Sequence, residues 1–70
     1  MDMIPVSSSN LSSVGYDSES ATLRIQFIKS GTYEYYGVST DVFDGLMAAG
    51  SKGTYFDQYI KKGGYSYARV

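Results

Sequence analysis

The chain has 70 residues, no cysteine and no histidine, is 43% hydrophobic and 16% aromatic, and carries a formal net charge of −1. This excludes a disulfide framework, a thiolate or imidazole zinc site and a histidine general base, and leaves one domain, spanning 1–70, that packing alone must hold together. The small net charge argues against avid polyanion binding by the whole surface, but its distribution is uneven: residues 1–50 set Arg24 and Lys29 against six carboxylates, whereas residues 51–70 set Lys52, Lys61, Lys62 and Arg69 against Asp57 alone.

The opening Met1-Asp2-Met3-Ile4-Pro5 has neither a basic n-region nor an apolar h-region, and no stretch approaches the roughly 18 apolar residues of a membrane span. A cytoplasmic chain with no membrane partner is therefore expected. Pro5 to Ser13 is serine-rich and weakly patterned, and becomes a strand only near Leu11, Val14 and Tyr16. Asp17 to Ser20 reads as a polar turn. In Thr22 to Ile28 the apolar Leu23, Ile25 and Phe27 alternate with Arg24 and Gln26, the pattern of a half-buried strand. Lys29-Ser30-Gly31 supplies a hairpin loop, and Thr32 to Val38 returns as a third strand. The period then changes. Ser39 or Thr40 caps a helix whose apolar face is Val42, Phe43, Leu46 and Met47, ended by Gly50. Ser51 caps a second, with Tyr55, Phe56, Tyr59 and Ile60 as its stripe and Lys61, Lys62 and Gly63-Gly64 at its end. Tyr65 to Val70 alternates again as a terminal strand. The expected fold is α+β: a small antiparallel β-meander, two short helices and a last strand, β-β-β-α-α-β.

The order and spacing of several short motifs add a resemblance that covers nearly the whole chain. Ser8-Ser9, Gly15-Tyr16-Asp17, Leu23-Arg24-Ile25-Gln26-Phe27, Tyr33-Glu34-Tyr35 with Gly37-Val38, Ala49-Gly50-Ser51-Lys52-Gly53, and Tyr55-Phe56 with Ile60 resemble the KTSC domain. That family is named from the C-terminus of some lysyl-tRNA synthetases and occurs also as small stand-alone bacterial and phage proteins. Its Y-x-Y matches Tyr33 and Tyr35. Ser39 stands where the family pattern often has proline, which bears only on how the first helix starts. The resemblance implies the identity of the domain and, through the synthetase context, RNA as a partner; it implies no mechanism.

Which face carries Tyr33 and Tyr35 depends on hairpin register. A two-residue Ser30-Gly31 loop sets Ile28 opposite Tyr33 and puts both tyrosines on the solvent side with Arg24. A three-residue Lys29-Ser30-Gly31 loop sets Phe27 opposite Tyr33 and Ile25 opposite Tyr35, and turns both inward. The second arrangement gathers the large apolar groups on one side and is favoured; it makes Tyr33 and Tyr35 structural and leaves Tyr36 outside near Arg24.

Three groups of residues can bear function. Lys52, Lys61, Lys62 and Arg69 are available for phosphates, with Tyr36 for stacking, Tyr65 and Tyr67 as further aromatics, and Arg24 for a cation-π contact. Ser51, Lys52 and Gly53, with Thr54, describe an anion-binding helix N-terminus, although plain capping accounts for the same residues more economically. Asp41 and Asp44 are paired carboxylates at i, i+3, better suited to complementing a helix dipole than to acid and base roles. No catalytic residue, metal site or cofactor is expected. A non-catalytic module binding RNA or other single-stranded nucleic acid is the leading reading, and a protein-interaction or self-association module is the alternative.

Overall fold

The alternation of Leu23, Ile25 and Phe27 makes β3 (Thr22–Phe27) the middle strand of a five-stranded antiparallel sheet in the order β1-β2-β3-β4-β5. The structure is a computed structural model that describes residues 1–70. β1 is Ile4–Pro5, β2 Leu11–Asp17, β4 Gly31–Tyr36 and β5 Tyr67–Arg69; α1 is Thr40–Ala48, and α2 (Lys52–Tyr55) runs directly into a π-helical segment, Phe56–Lys61. The helices form the crossover from β4 to β5 and lie on one sheet face, giving the α+β class expected. None is long and apolar enough to cross a membrane.

The core is the inner sheet face against the helices: Leu11, Val14, Leu23, Ile25 and Tyr35 from the strands meet Val38, Leu46, Phe56 and Ile60. Leu11 and Val14 are three positions apart, so strict alternation would point them to opposite faces. A bulge at Ser12 shifts the register between Leu11 and Ser13 and turns both inward. Ser39 caps α1, its Oγ accepting from Val42 N at 3.3 Å.

The structure departs from the sequence reading in three places. The β3–β4 hairpin pairs Phe27 with Gly31, Ile25 with Tyr33 and Leu23 with Tyr35, so its loop is Ile28-Lys29-Ser30. Gly31 has a positive φ, +95°, which glycine adopts without strain, and it is the first ladder residue of β4 rather than part of the loop. The Ile28 N–H, donating to Asn10 O at 3.0 Å, is drawn toward the entrance to β2. Because the shift from the expected register is two residues, every side chain keeps its face, and Tyr33 and Tyr35 do turn inward. The second departure is β1, an extra two-residue edge strand pairing Ile4 with Val14 and Pro5 with Ser13; proline, lacking a donor, is tolerated there because it is on the edge. Finally, the second helix is α-helical for four residues only. From Phe56 the turn widens, which buries both Phe56 and Ile60 on the sheet; over six residues an apolar stripe does not tell the two kinds of turn apart.

Candidate functional site

The inner face is covered unevenly. At the α1 end the Tyr16 ring stacks on Phe43 with centroids 4.7 Å apart and planes 9° from parallel, and its hydroxyl donates to Val38 O at 2.6 Å. Tyr55 donates to Val42 O at 3.0 Å. At the β5 end, cover stops at Phe56, whose ring meets Phe27 edge-on at 5.2 Å and Tyr35 at 5.4 Å. Beyond it lies an open aromatic surface. Tyr67 sits opposite Tyr35 in the β4–β5 ladder and stacks on it at 5.4 Å and 27°, with the Tyr33 ring 6.4 Å away. Tyr35 is 7% exposed and Tyr67 63%.

These rings floor a groove of about 700 Å³ flanked by Lys29, Lys61 and Asn10. A second, wholly polar hollow of about 310 Å³ adjoins it through Ser9 and Asn10 and is lined by Thr54, Gln58 and Lys62 among others. The two form one path with an aromatic part and a polar part. Burial pushes the Tyr35 phenol above its ordinary value, with the neighbouring Tyr67 and Tyr33 adding to the effect. Lys62 and Lys61 share the Asp57 carboxylate at 3.4 Å and 4.0 Å. Both ammonium groups are largely exposed, so these pairs are weak and either cation can turn to an anion in the groove.

The residues singled out in the sequence are thus divided. Lys61 and Lys62 come together along the path. Arg69 lies opposite Tyr33 in the ladder, with its guanidinium against Gly31 at the groove's hairpin end. Lys52 is turned away, its ammonium donating to Ala49 O at 3.2 Å at the end of α1. Ser51 Oγ accepts from Thr54 N at 3.4 Å and donates to Thr54 Oγ1 at 2.9 Å, so Ser51 and Thr54 are engaged in capping. Gly53 lets the second helix approach Asn10: a Cβ there would collide with the Asn10 side chain. Tyr36 and Arg24 are on the opposite sheet face, both held by Glu34, with Arg24 Nε donating at 2.9 Å and the Tyr36 hydroxyl at 3.2 Å. Burial and the hydrogen bond to Glu34 raise the Tyr36 phenol, against the lowering effect of Arg24.

Sequence reasoning did not single out Lys29, Phe27 or Asn10 for the groove and mentioned Tyr67 only among further aromatics. Tyr67 was findable as an exposed aromatic in an alternating strand. Asn10, in a serine-rich segment, carries no such signal.

Comparison with known proteins accords with this architecture. The family model described as the KTSC domain matches residues 7–67. A KTSC domain protein from Yersinia pestis, solved by crystallography, superposes with a TM-score of 0.94 at 42% identity, covering 99% of this chain and 96% of that one. An uncharacterised protein of Stutzerimonas stutzeri is 36% identical over all 70 residues and 99% of its own length. A protein of Tsukamurella paurometabola is 41% identical over 59 residues, 84% of this chain and 88% of its own. The chain belongs to the KTSC domain family.

Proposed function

We propose that this KTSC-domain chain is a non-catalytic module that binds single-stranded nucleic acid, RNA foremost, in the groove at the β5 end of the sheet. The observation that carries this reading is Tyr67: a flat, mostly exposed ring, backed by Tyr35 and flanked by Lys61 and Lys29. A base stacked on tyrosine gains about 1–3 kcal/mol, and the adjoining ammonium groups meet the phosphates on either side of it. The phosphate-binding set becomes Lys29, Lys61, Lys62 and Arg69. Lys52, committed to α1, and Tyr36 with Arg24, on the far face, lie outside it.

The test is fluorescence anisotropy with short labelled RNA across a salt series. Log affinity should fall with log salt by about 0.7 per phosphate engaged on a single strand, and Lys61→Glu should flatten the slope by roughly one such step. Affinity indifferent to salt and to Lys61→Glu together with Lys62→Glu would refute the reading. One feature favours a protein partner instead: β5 is a three-residue edge strand whose far side pairs with nothing in the sheet, and a strand from a partner or a second copy could add there. Concentration-dependent sedimentation without RNA affinity would select that reading.

A further inference from the structure

We infer that the open edge of β5 is a self-pairing surface: two copies of the chain join through antiparallel β5 strands, about a two-fold axis at Ala68, into one continuous sheet. This goes beyond the nucleic-acid reading of the groove and does not depend on it. The ladder to β4 fixes which main-chain groups are free. Tyr36 N–H donates to Ser66 O at 2.9 Å, and Val70 N–H donates to Thr32 O at 2.9 Å. Hydrogen-bonded and non-hydrogen-bonded pairs alternate along an antiparallel ladder. Ser66, Ala68 and Val70 therefore turn their main-chain groups to β4, whereas Tyr67 and Arg69 turn theirs to the open edge. β5 ends the sheet on that side, and every residue from Ser66 to Val70 is exposed.

The edge is complementary to itself, which selects a second copy as its occupant. With Ala68 on the axis, Tyr67 of each copy faces Arg69 of the other, and their free N–H and C=O groups exchange hydrogen bonds in both directions. The side chains match as well: both residues lie on the groove side of the sheet, opposite Tyr35 and Tyr33, so a tyrosine ring meets a guanidinium across the junction. An axis at Arg69 would set like charges opposite each other, and one at Tyr67 would carry the pairing to Tyr65, outside the strand. The other edge of the molecule offers β5 no substitute. β1 has two residues, and one of them, Pro5, has no N–H to donate. Association therefore closes at two copies instead of running on as a filament.

The test exploits the absence of cysteine from the chain. In this register the two Ala68 residues form a non-hydrogen-bonded pair with Cα atoms about 4.5 Å apart, within disulfide reach. With oxidised glutathione taking up the two electrons and two protons, Ala68→Cys should cross-link into a dimer about tenfold faster than Ser30→Cys, an exposed site in the β3–β4 loop. Adding Tyr67→Lys to Ala68→Cys sets a second cation opposite Arg69 and should slow the cross-link about threefold, and Tyr67→Glu should speed it by about as much. Sedimentation of the native chain over a rising concentration series, without nucleic acid, should move from one copy to two and stop there. Equal rates for Ala68→Cys and Ser30→Cys, or a native chain that stays single throughout, overturns the pairing. Tyr67→Cys cross-linking faster than Ala68→Cys, or charge variants at Tyr67 without these effects, overturns the axis at Ala68. Growth beyond two copies overturns the closure. Should a variant not fold, the native sedimentation series decides. No readout involves RNA, so failure here leaves the groove reading standing.

Discussion

The two ends of the inner sheet face use the same residue type in opposite ways. Under α1, Tyr16 and Tyr55 send their hydroxyls to the main-chain carbonyls of Val38 and Val42 and are locked by those bonds. Toward β5, Tyr33, Tyr35 and Tyr67 lean ring against ring, and none is held by such a bond. A phenol tied to a carbonyl closes a core; a phenol left free at the end of a stack presents a flat face. The difference teaches that tyrosine content says little about burial, and that what covers each ring decides whether it stabilises the fold or recognises a ligand.

Substitutions at the two ends should therefore separate stability from binding. The largest effect is expected at the closed end, where Leu46 is fully buried: Leu46→Ala should cost about 2–5 kcal/mol in urea denaturation, much of what a domain this size possesses. At the open end, Tyr67→Ala should leave stability within about 0.5 kcal/mol of native and weaken RNA binding by about 1–3 kcal/mol, read by anisotropy. A large loss of stability there would break the comparison, because Tyr67 would then be core. Removing single hydroxyls sharpens it further. Tyr16→Phe leaves Val38 O without its donor and should cost about 1–3 kcal/mol, whereas Tyr67→Phe keeps the ring and should change neither urea midpoint nor RNA affinity measurably.

The smallest effect is one of pH. Burial raises the folded Tyr35 phenol above its unfolded value of about 10. The folded state then holds its proton where the unfolded state has lost it, so this contribution is complete below about pH 10 and is lost as pH rises through the raised value. Urea midpoints of the native chain should fall as pH rises above about 10, and Tyr35→Phe should reduce that fall. An identical decline in the variant would mean that the open end does not desolvate its deepest phenol.

What the sequence disclosed of this contrast follows from range. Strand alternation and helix caps are local, so β3, β4, α1 and the inward turn of Tyr33 and Tyr35 were legible from the residues. The two-residue register shift was not, because it depends on the Ile28 N–H reaching Asn10 O across the sheet. β1 went unread for a similar reason: Ile4-Pro5 has no strand pattern of its own and is a strand only because β2 offers it an edge. The groove was hidden more deeply. Its floor joins Phe27, Tyr33 and Tyr67, which meet only after the helical crossover returns the chain beside β4, and its cations come from distant parts of the chain, Lys29 from the β3–β4 loop and Lys61 from the end of the crossover itself. Lys52 shows the converse, since a cation in a favourable sequence context is spent on a carbonyl three residues away.

The strand order has a practical outcome for anyone handling the molecule. β1 and β5 occupy opposite edges of the sheet, roughly four inter-strand spacings or about 19 Å apart. An affinity tag or fluorophore joined after Val70 would leave the fold from the strand that holds Tyr67 and crowd the stack, whereas one joined ahead of Met1 departs from the far edge. Immobilisation for binding work belongs at the amino terminus, and a dye at the carboxyl terminus would serve as a proximity reporter of what occupies the groove.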